Sequence, residues 1–182
     1  MQKGTCMKEI TLKENRIYDG KIISVRCDDI VQEDGRKAKR EVVEHRGGVC
    51  IVPVDNDGNV LLVKQFRYAV GKYLLEIPAG KREIDEDPFE TAKRELSEET
   101  GCTANDWKNL GSFIVTPGYC TERFYIYLAR DLQYFEQHLD EGEHVTIEKI
   151  KFEDALDMVY ANQIDDAKSV IGLLMAKKLI EG

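Results

Sequence analysis

The sequence predicts an α/β (α+β) fold: a mixed β-sheet covered by helices, preceded by a small N-terminal β-subdomain. Three observations carry that prediction. Short apolar runs bounded by turn residues recur along most of the chain and read as strands. One central segment has legible helix start and stop signals. The C-terminal part then shows two amphipathic helical stretches, and strands with a few helices interspersed bury their apolar faces best as a sheet between helices.

In chain order, the first 46 residues alternate apolar pieces with Asp-Gly turns, YDGKIISVRCDDIV and then EDGRKAKREVVEH, and read as two or three strands. So few strands do not close a core alone. Residues 1–46 are therefore expected to pack on the rest of the chain or on a second subunit, with residues 47–182 as the main domain. GGVCIVPV and NVLLVKQF flank Asp55-Asn56-Asp57-Gly58-Asn59, which predicts a hairpin. The loop also looks like the start of a calcium site, but its twelfth position is Phe66, where a bidentate Glu is needed.

After KYLLEIPAG, Asp87 is the expected N-cap of a helix, Pro88 fits its first position, Glu90 completes a capping box and Gly101 stops it. Strands follow in LGSFIVT, RFYIYLA and VTIEKIKF. Helices are expected at about 153–161 and 166–180, the second with Val170, Ile171, Leu173, Leu174 and Leu179 as its apolar face.

The length of 182 residues is that of one domain with a small appendage, which excludes a multidomain machine. A net charge of −8 argues against nucleic acid or an anionic membrane as partner. No apolar run approaches the roughly 20 residues of a membrane span, and MQKGTCMKEITLKENR lacks a signal-peptide core, so a cytoplasmic protein is expected. The five cysteines show no CxxC spacing and read as reduced thiols.

The central helix carries the chemistry. At about 100° per residue, Phe89, Ala92 and Leu96 form its buried stripe. Glu95, Glu98 and Glu99 share one flank, with Glu95 and Glu99 beside the buried edge. Like charges at i,i+3 and i,i+4 cost about 0.2–0.5 kcal/mol per pair. One reading is a solvated acidic face in which Arg94 partners Glu98. The other is a hard divalent cation taking oxygen ligands, with substrate phosphates completing its shell.

The run GKREIDEDPFETAKRELSEETGC decides between them. From Gly80 it has five residues to Glu86, seven to Arg94-Glu95-Leu96, then Glu98-Glu99 and Gly101-Cys102. This resembles the Nudix box of enzymes that hydrolyse nucleoside diphosphates linked to another moiety, with Cys102 where that family prefers a larger aliphatic residue. Thr116-Pro117-Gly118 with Glu122, the VKQFRYAVGKYLLEIPAGK segment, the loop LDEGE and the late DAKSVIGLL are similar to the ADP-ribose pyrophosphatase branch. The likeness runs from about residue 17 to 175.

The resemblance implies an α/β/α sandwich with a mixed sheet, and a homodimer that exchanges the N-terminal strands. It implies Mg²⁺, with Mn²⁺ as a possible substitute, held by Glu95, Glu99 and the Ala79 carbonyl, with Glu98 also binding. Arg94 would orient a glutamate through a salt bridge. In the acidic loop, Glu141 is the implied base and Glu143 a further ligand, although a one-residue shift exchanges them. Arg67 is the candidate cation for the diphosphate or the terminal ribose phosphate, and Arg40 could reach the diphosphate or a neighbouring subunit. Glu76 would meet ribose or base, and Pro117, Gly118 and Glu122 would line the substrate. Tyr18, Tyr68 and Tyr119 are candidates to stack on a base. The three histidines show no metal spacing and are given no catalytic role.

The expected reaction is hydrolysis of ADP-ribose to AMP and ribose 5-phosphate. Two alternatives stand beside it: a nucleotide-sugar pyrophosphatase of the GDP-mannose type, and a module that senses ADP-ribose without cleaving it. The intact Arg94, Glu95, Glu98 and Glu99 weigh against the second.

Overall fold

The structure is a computed structural model that describes residues 8–83, 85–135 and 145–180. Its strands are β1 (Glu9–Lys13), β2 (Arg16–Asp19), β3 (Ile23–Gln32), β4 (Lys37–His45), β5 (Gly48–Pro53), β6 (Asn59–Arg67), β7 (Lys72–Glu76), β8 (Ala79–Lys81), β9 (Cys102–Ile114), β10 (Arg123–Tyr134) and β11 (Thr146–Lys151). The helices are α1 (Pro88–Thr100), α2 (Phe152–Tyr160) and α3 (Ala167–Ile180). The chain forms two compact units, one holding the chain up to Arg46 with Ile114–Arg123, the other Gly47–Phe113 with the chain from Phe124 on.

The first unit is a four-stranded antiparallel sheet where two or three strands were expected. β3 is long enough to pair β4 along one edge while β1 and β2 share the other end to end. Asn15 bridges the break between them: its backbone carbonyl accepts from the Cys27 N–H, and its side-chain amide donates to the Cys27 carbonyl and to Asp29. The segment 114–123 joins this sheet because the Val43 N–H donates to the Tyr119 carbonyl and the Thr121 N–H to the Val43 carbonyl.

The second unit holds the expected mixed sheet, in the order β8-β5-β10-β9, with β5 and β10 parallel and β5 and β8 antiparallel. A three-stranded antiparallel sheet, β11-β6-β7, accompanies it. The predicted hairpin at residues 55–59 is a turn only. Gly58 adopts φ 74°, and Val54 pairs with Val60 in a single bridge, but β5 and β6 then part into different sheets. β5 is buried throughout and β6 over Asn59–Val63, and each is an inner strand with two neighbours of its own, β8 and β10 for β5 and β11 and β7 for β6.

Alternation along β5, β6 and β10 divides the core. Cys50, Val52, Val60, Leu62, Ile126 and Leu128 pack with Phe152, Leu156 and Leu173 of α2 and α3. Val49, Ile51, Leu61, Tyr127 and Ala129 pack with Ala92 and Leu96 of α1. The strands thus lie between helices, as the α/β/α expectation requires. Phe89 docks the first turn of α1 edge-on against Trp107 at 5.4 Å and tilted on Tyr127 at 5.6 Å.

The ends of α1 follow the sequence signals. The Asp87 side chain accepts from the Phe89 and Glu90 N–H groups, and Gly101 closes the helix with φ 64°. The capping box expected at Glu90 forms only by half: the Glu90 side chain pairs with Lys93 at 2.6 Å and makes no return bond to the Asp87 N–H. Asp87→Ala is expected to cost about 1 kcal/mol of stability, the usual worth of such a cap. Urea unfolding checks this, and an unchanged midpoint contradicts it.

The apolar face expected for α3 is borne out at Leu173, which is buried, and at Val170 and Ile171, which pack against the core, but not at Leu174 and Leu179. Its buried residues are Lys168, Ser169, Gly172, Leu173 and Ala176, while Leu174 and Leu179 face solvent. Close approach explains the difference: a Cβ on Gly172 would lie 2.8 Å from Ile77 Cδ1 and 3.0 Å from Val52 Cγ2. Small residues therefore face the sheet, and the helical periodicity of large ones misleads. None of the four described cysteines is in a disulfide, and Cys50 and Cys102 are buried; Cys6 lies outside the described residues. Among the described residues no helix is long and apolar enough to cross a membrane.

Candidate active site

The segment Glu76 to Lys81 enters the mixed sheet at β8, beside β5, and the chain then turns into α1. This lays the backbone of Ala79 and Gly80 against the acidic flank of the helix. The Ala79 N–H donates to Glu99 Oε2 at 2.9 Å, and Glu99 is 4% exposed. The Glu95 carboxylate occupies the space that a side chain at residue 80 would fill, since a Cβ there would lie 1.7 Å from Glu95 Cδ.

Arg94 ties the acidic residues together. Its Nη1 lies 2.7 Å from Glu98 Oε2 and 2.9 Å from Glu95 Oε1, and its Nε 3.2 Å from Glu86 Oε1. Its Nη2 donates to the Lys81 carbonyl at 3.3 Å. Desolvation works against the Arg94 charge, but the hydrogen bond to Glu86 and the fields of Glu95 and Glu98 more than offset it and raise its pKa. The hydrogen bond from Arg94 in turn holds the Glu86 carboxyl at about 2.

A depressed carboxyl stabilises the fold above its unfolded pKa, about 4.3 for Glu, and that contribution is lost as pH falls through the folded value near 2. In Arg94→Met the Glu86 titration should move from about 2 toward the ordinary value of about 4.3. The loss of stability between pH 4.5 and 2 should shrink with it. Carboxyl-carbon NMR and urea unfolding at each pH measure both, and an unmoved Glu86 titration contradicts the pairing.

The donor set suits a hard cation: three carboxylates on one helical flank beside a backbone carbonyl, all oxygen, with the missing Cβ of Gly80 leaving room for Glu95. Such a cation would be held by Glu95, Glu98, Glu99 and Ala79. The carboxylates here face Arg94 and the Ala79 N–H. Among the described residues no group of three acidic, His or Cys side chains is drawn together as a finished metal site. Glu141 and Glu143 lie outside the described residues.

Arg67 and Glu76 are brought together as partners of each other. Arg67 Nε donates to Glu76 Oε1 at 2.8 Å and Nη2 to Oε2 at 2.6 Å. Burial pushes the Glu76 carboxyl up, but the hydrogen bond from Arg67 and the charge of Lys168 prevail and hold it below the usual range. The sequence reading missed Lys168, which reaches the same carboxylate from α3. Its signal was the polar start of an otherwise apolar helix in DDAKS.

In the other unit, Arg40 is engaged by Glu9, with Nε donating to Glu9 Oε2 at 2.9 Å. Pro117 and Gly118 form a tight turn closed by the Cys120 N–H on the Thr116 carbonyl at 2.9 Å. Glu122 lies 3.2 Å from His45 Nδ1, a histidine that the sequence had left without a role. Tyr18, Tyr68 and Tyr119 are all exposed.

Two family profiles together span most of the chain. The NUDIX domain matches residues 44–170, and the nucleoside diphosphate sugar hydrolase N-terminal domain matches residues 9–43. An ADP-ribose pyrophosphatase of Bacillus subtilis (strain 168) is 37% identical over 169 residues, 92% of this chain and 91% of that protein. A methanol dehydrogenase activator of Bacillus methanolicus is 36% identical over 172 residues, 93% of each. A crystal structure of an ADP compounds hydrolase superposes with a TM-score of 0.85 over 96% of this chain and 95% of that one; at 24% identity that likeness is one of fold.

Proposed function

The chain belongs to the Nudix family, with a nucleoside diphosphate sugar hydrolase N-terminal domain, and from that premise we propose that it hydrolyses ADP-ribose to AMP and ribose 5-phosphate in the cytoplasm. The observation that carries this reading is that Arg94 holds Glu95 and Glu98 on one flank of α1 while Glu99 accepts from the Ala79 N–H and Glu95 fills the space over Gly80. The similarity to ADP-ribose pyrophosphatases supports the choice of sugar nucleotide.

Bound Mg²⁺, or Mn²⁺ in its place, supplies neutralisation of the diphosphate oxygens and a more acidic water. The chain's own groups do the rest. Glu95, Glu98, Glu99, the Ala79 carbonyl and Glu143 would hold the cations. Arg94 restrains Glu95 and Glu98, so that they hold their places before substrate arrives. Glu141 takes the proton from the attacking water, a role worth about 10²–10⁴-fold in rate. Water adds across one P–O bond of the diphosphate and AMP leaves. Arg67, Arg40, Pro117, Gly118 and Glu122 are proposed to contact the substrate, while Glu76, buried with both carboxylate oxygens bonded to Arg67 and Lys168, orients Arg67 instead of meeting ribose or base.

The active species is proposed to be a homodimer. β1 and β2 are exposed along their whole length and carry Ile10, Leu12, Ile17 and Tyr18, an apolar surface that a second copy would cover. Sedimentation at micromolar concentration should show a dimer, and a monomer contradicts it.

The deciding assay incubates the protein with ADP-ribose, GDP-mannose, NADH, diadenosine polyphosphates and oxidised nucleoside diphosphates, with and without Mg²⁺, and identifies the products. ADP-ribose should be turned over best and only with metal. Preference for GDP-mannose would replace the substrate, and no turnover of any compound would remove the enzyme reading.

A further inference from the structure

Lys168 is a buried cation that the proposed chemistry does not use. It is 6% exposed, and it binds Glu76, itself 1% exposed, and Asp166 at 2.8 Å. Asp166 Oδ2 also accepts from the Ser169 hydroxyl at 2.6 Å and from the Ser169 N–H at 3.1 Å. The Ser169 hydroxyl oxygen in turn accepts from the Ile77 N–H at 2.8 Å. Lys168 and Ser169 in the first turn of α3, themselves tied to Asp166 just before it, thus hold two successive residues: Glu76 at the end of β7 and Ile77 after it.

The next two residues are gripped as well. The Pro78 carbonyl accepts from the Ile51 N–H at 2.9 Å, and the Ala79 N–H donates to Glu99. Every residue from Glu76 to Ala79 is therefore held by an element other than its own: β6 and α3 at Glu76, α3 again at Ile77, β5 at Pro78 and α1 at Ala79. A buried ion pair is a poor means of raising stability, because apolar residues of similar volume do as well. A fixed set of directional bonds does set the place and direction of a peptide group.

We propose that Lys168, with Asp166 and Ser169, is a positioning residue for the cation site: it clamps Glu76 and Ile77 and so fixes the Ala79 carbonyl relative to Glu99. This rests on the reading of Ala79 and Glu99 as cation ligands. Lys168 touches neither cation nor substrate and acts through the strand.

The test measures Mn²⁺ binding directly, by the electron paramagnetic resonance signal of the free ion, in wild type, Ser169→Ala, Lys168→Met and a core control, Leu110→Val in β9, which lowers stability without altering a clamp residue or its chain neighbours. Ser169→Ala removes one hydroxyl and is the variant that keeps the test sound if Lys168→Met does not fold. The folded clamp variants should bind Mn²⁺ about 10-fold more weakly, the lower end for an outer partner of a metal ligand. The control should stay near wild type, and activity lost at low Mg²⁺ should recover when Mg²⁺ is raised. Folded Ser169→Ala with wild-type affinity, or a control weakened as much as the clamp variants, overturns the positioning role alone. Wild-type protein that binds no Mn²⁺ overturns the cation reading and the clamp with it.

Discussion

Glu99→Gln is expected to lower kcat by at least about 10²-fold while leaving the protein folded, the lower end for loss of a key electrostatic partner. The side chain is buried, and one carboxylate oxygen accepts from the Ala79 N–H. Glutamine keeps the volume and can keep that hydrogen bond through its amide oxygen. What it removes is the negative charge, the part a divalent cation needs. Steady-state turnover of ADP-ribose at saturating Mg²⁺ measures the effect, with the melting temperature as the check on folding. A kcat near that of wild type would refute the ligand role of Glu99.

Gly80→Ala should be comparably damaging and more selective. The new Cβ would lie 1.7 Å from Glu95 Cδ and 2.0 Å from each of its carboxylate oxygens, so the two cannot share the space. Gly80 is not among the glycines with positive φ, so the backbone accepts alanine without strain. The group that must move is the end of a flexible side chain, and the cost to the fold should stay under about 1 kcal/mol. The cost to the site is the displacement of Glu95, and misplacement of a catalytic group by about 1 Å can lose 10²-fold in rate. A variant that melts with wild type and loses about 10²-fold in kcat/KM would separate site geometry from stability. One that keeps its activity would show that Glu95 works from another position.

Much of the site could be read before the structure because it is local. Asp87, Pro88 and Gly101 act on the backbone within a few residues of themselves, and they bound α1 where their chemistry says they should. Helical spacing then places Glu95, Glu98 and Glu99 on one flank and Arg94 one turn from Glu98, whatever surrounds the helix. The wheel also puts Glu99 beside the buried stripe, and it is buried.

The misreadings share the opposite cause. The turn at residues 55–59 is local and forms, yet which strands pair is set by competition across the chain, and β10 and β8 outbid β6 for β5. The buried face of α3 is read correctly at Val170, Ile171 and Leu173 and wrongly at Leu174 and Leu179, because apolar periodicity counts large side chains. The helix packs through Ser169, Gly172 and Ala176, where small size permits close approach to Val52 and Ile77. The mutual pairing of Arg67 and Glu76 was likewise invisible, since β6 and β7 must align before nine positions of sequence become a 2.6 Å contact.

By itself, then, the sequence determined the Nudix family and the acidic helix with its limits, because motif spacing and capping are short-range and survive any packing. The tertiary structure alone decided that Ala79 and Gly80 lie against Glu99 and Glu95, that Arg94 also takes Glu86, and that Lys168 reaches Glu76 from 92 residues away. Those contacts join elements distant in the chain, and only the packing of the sheets against the helices fixes their distances.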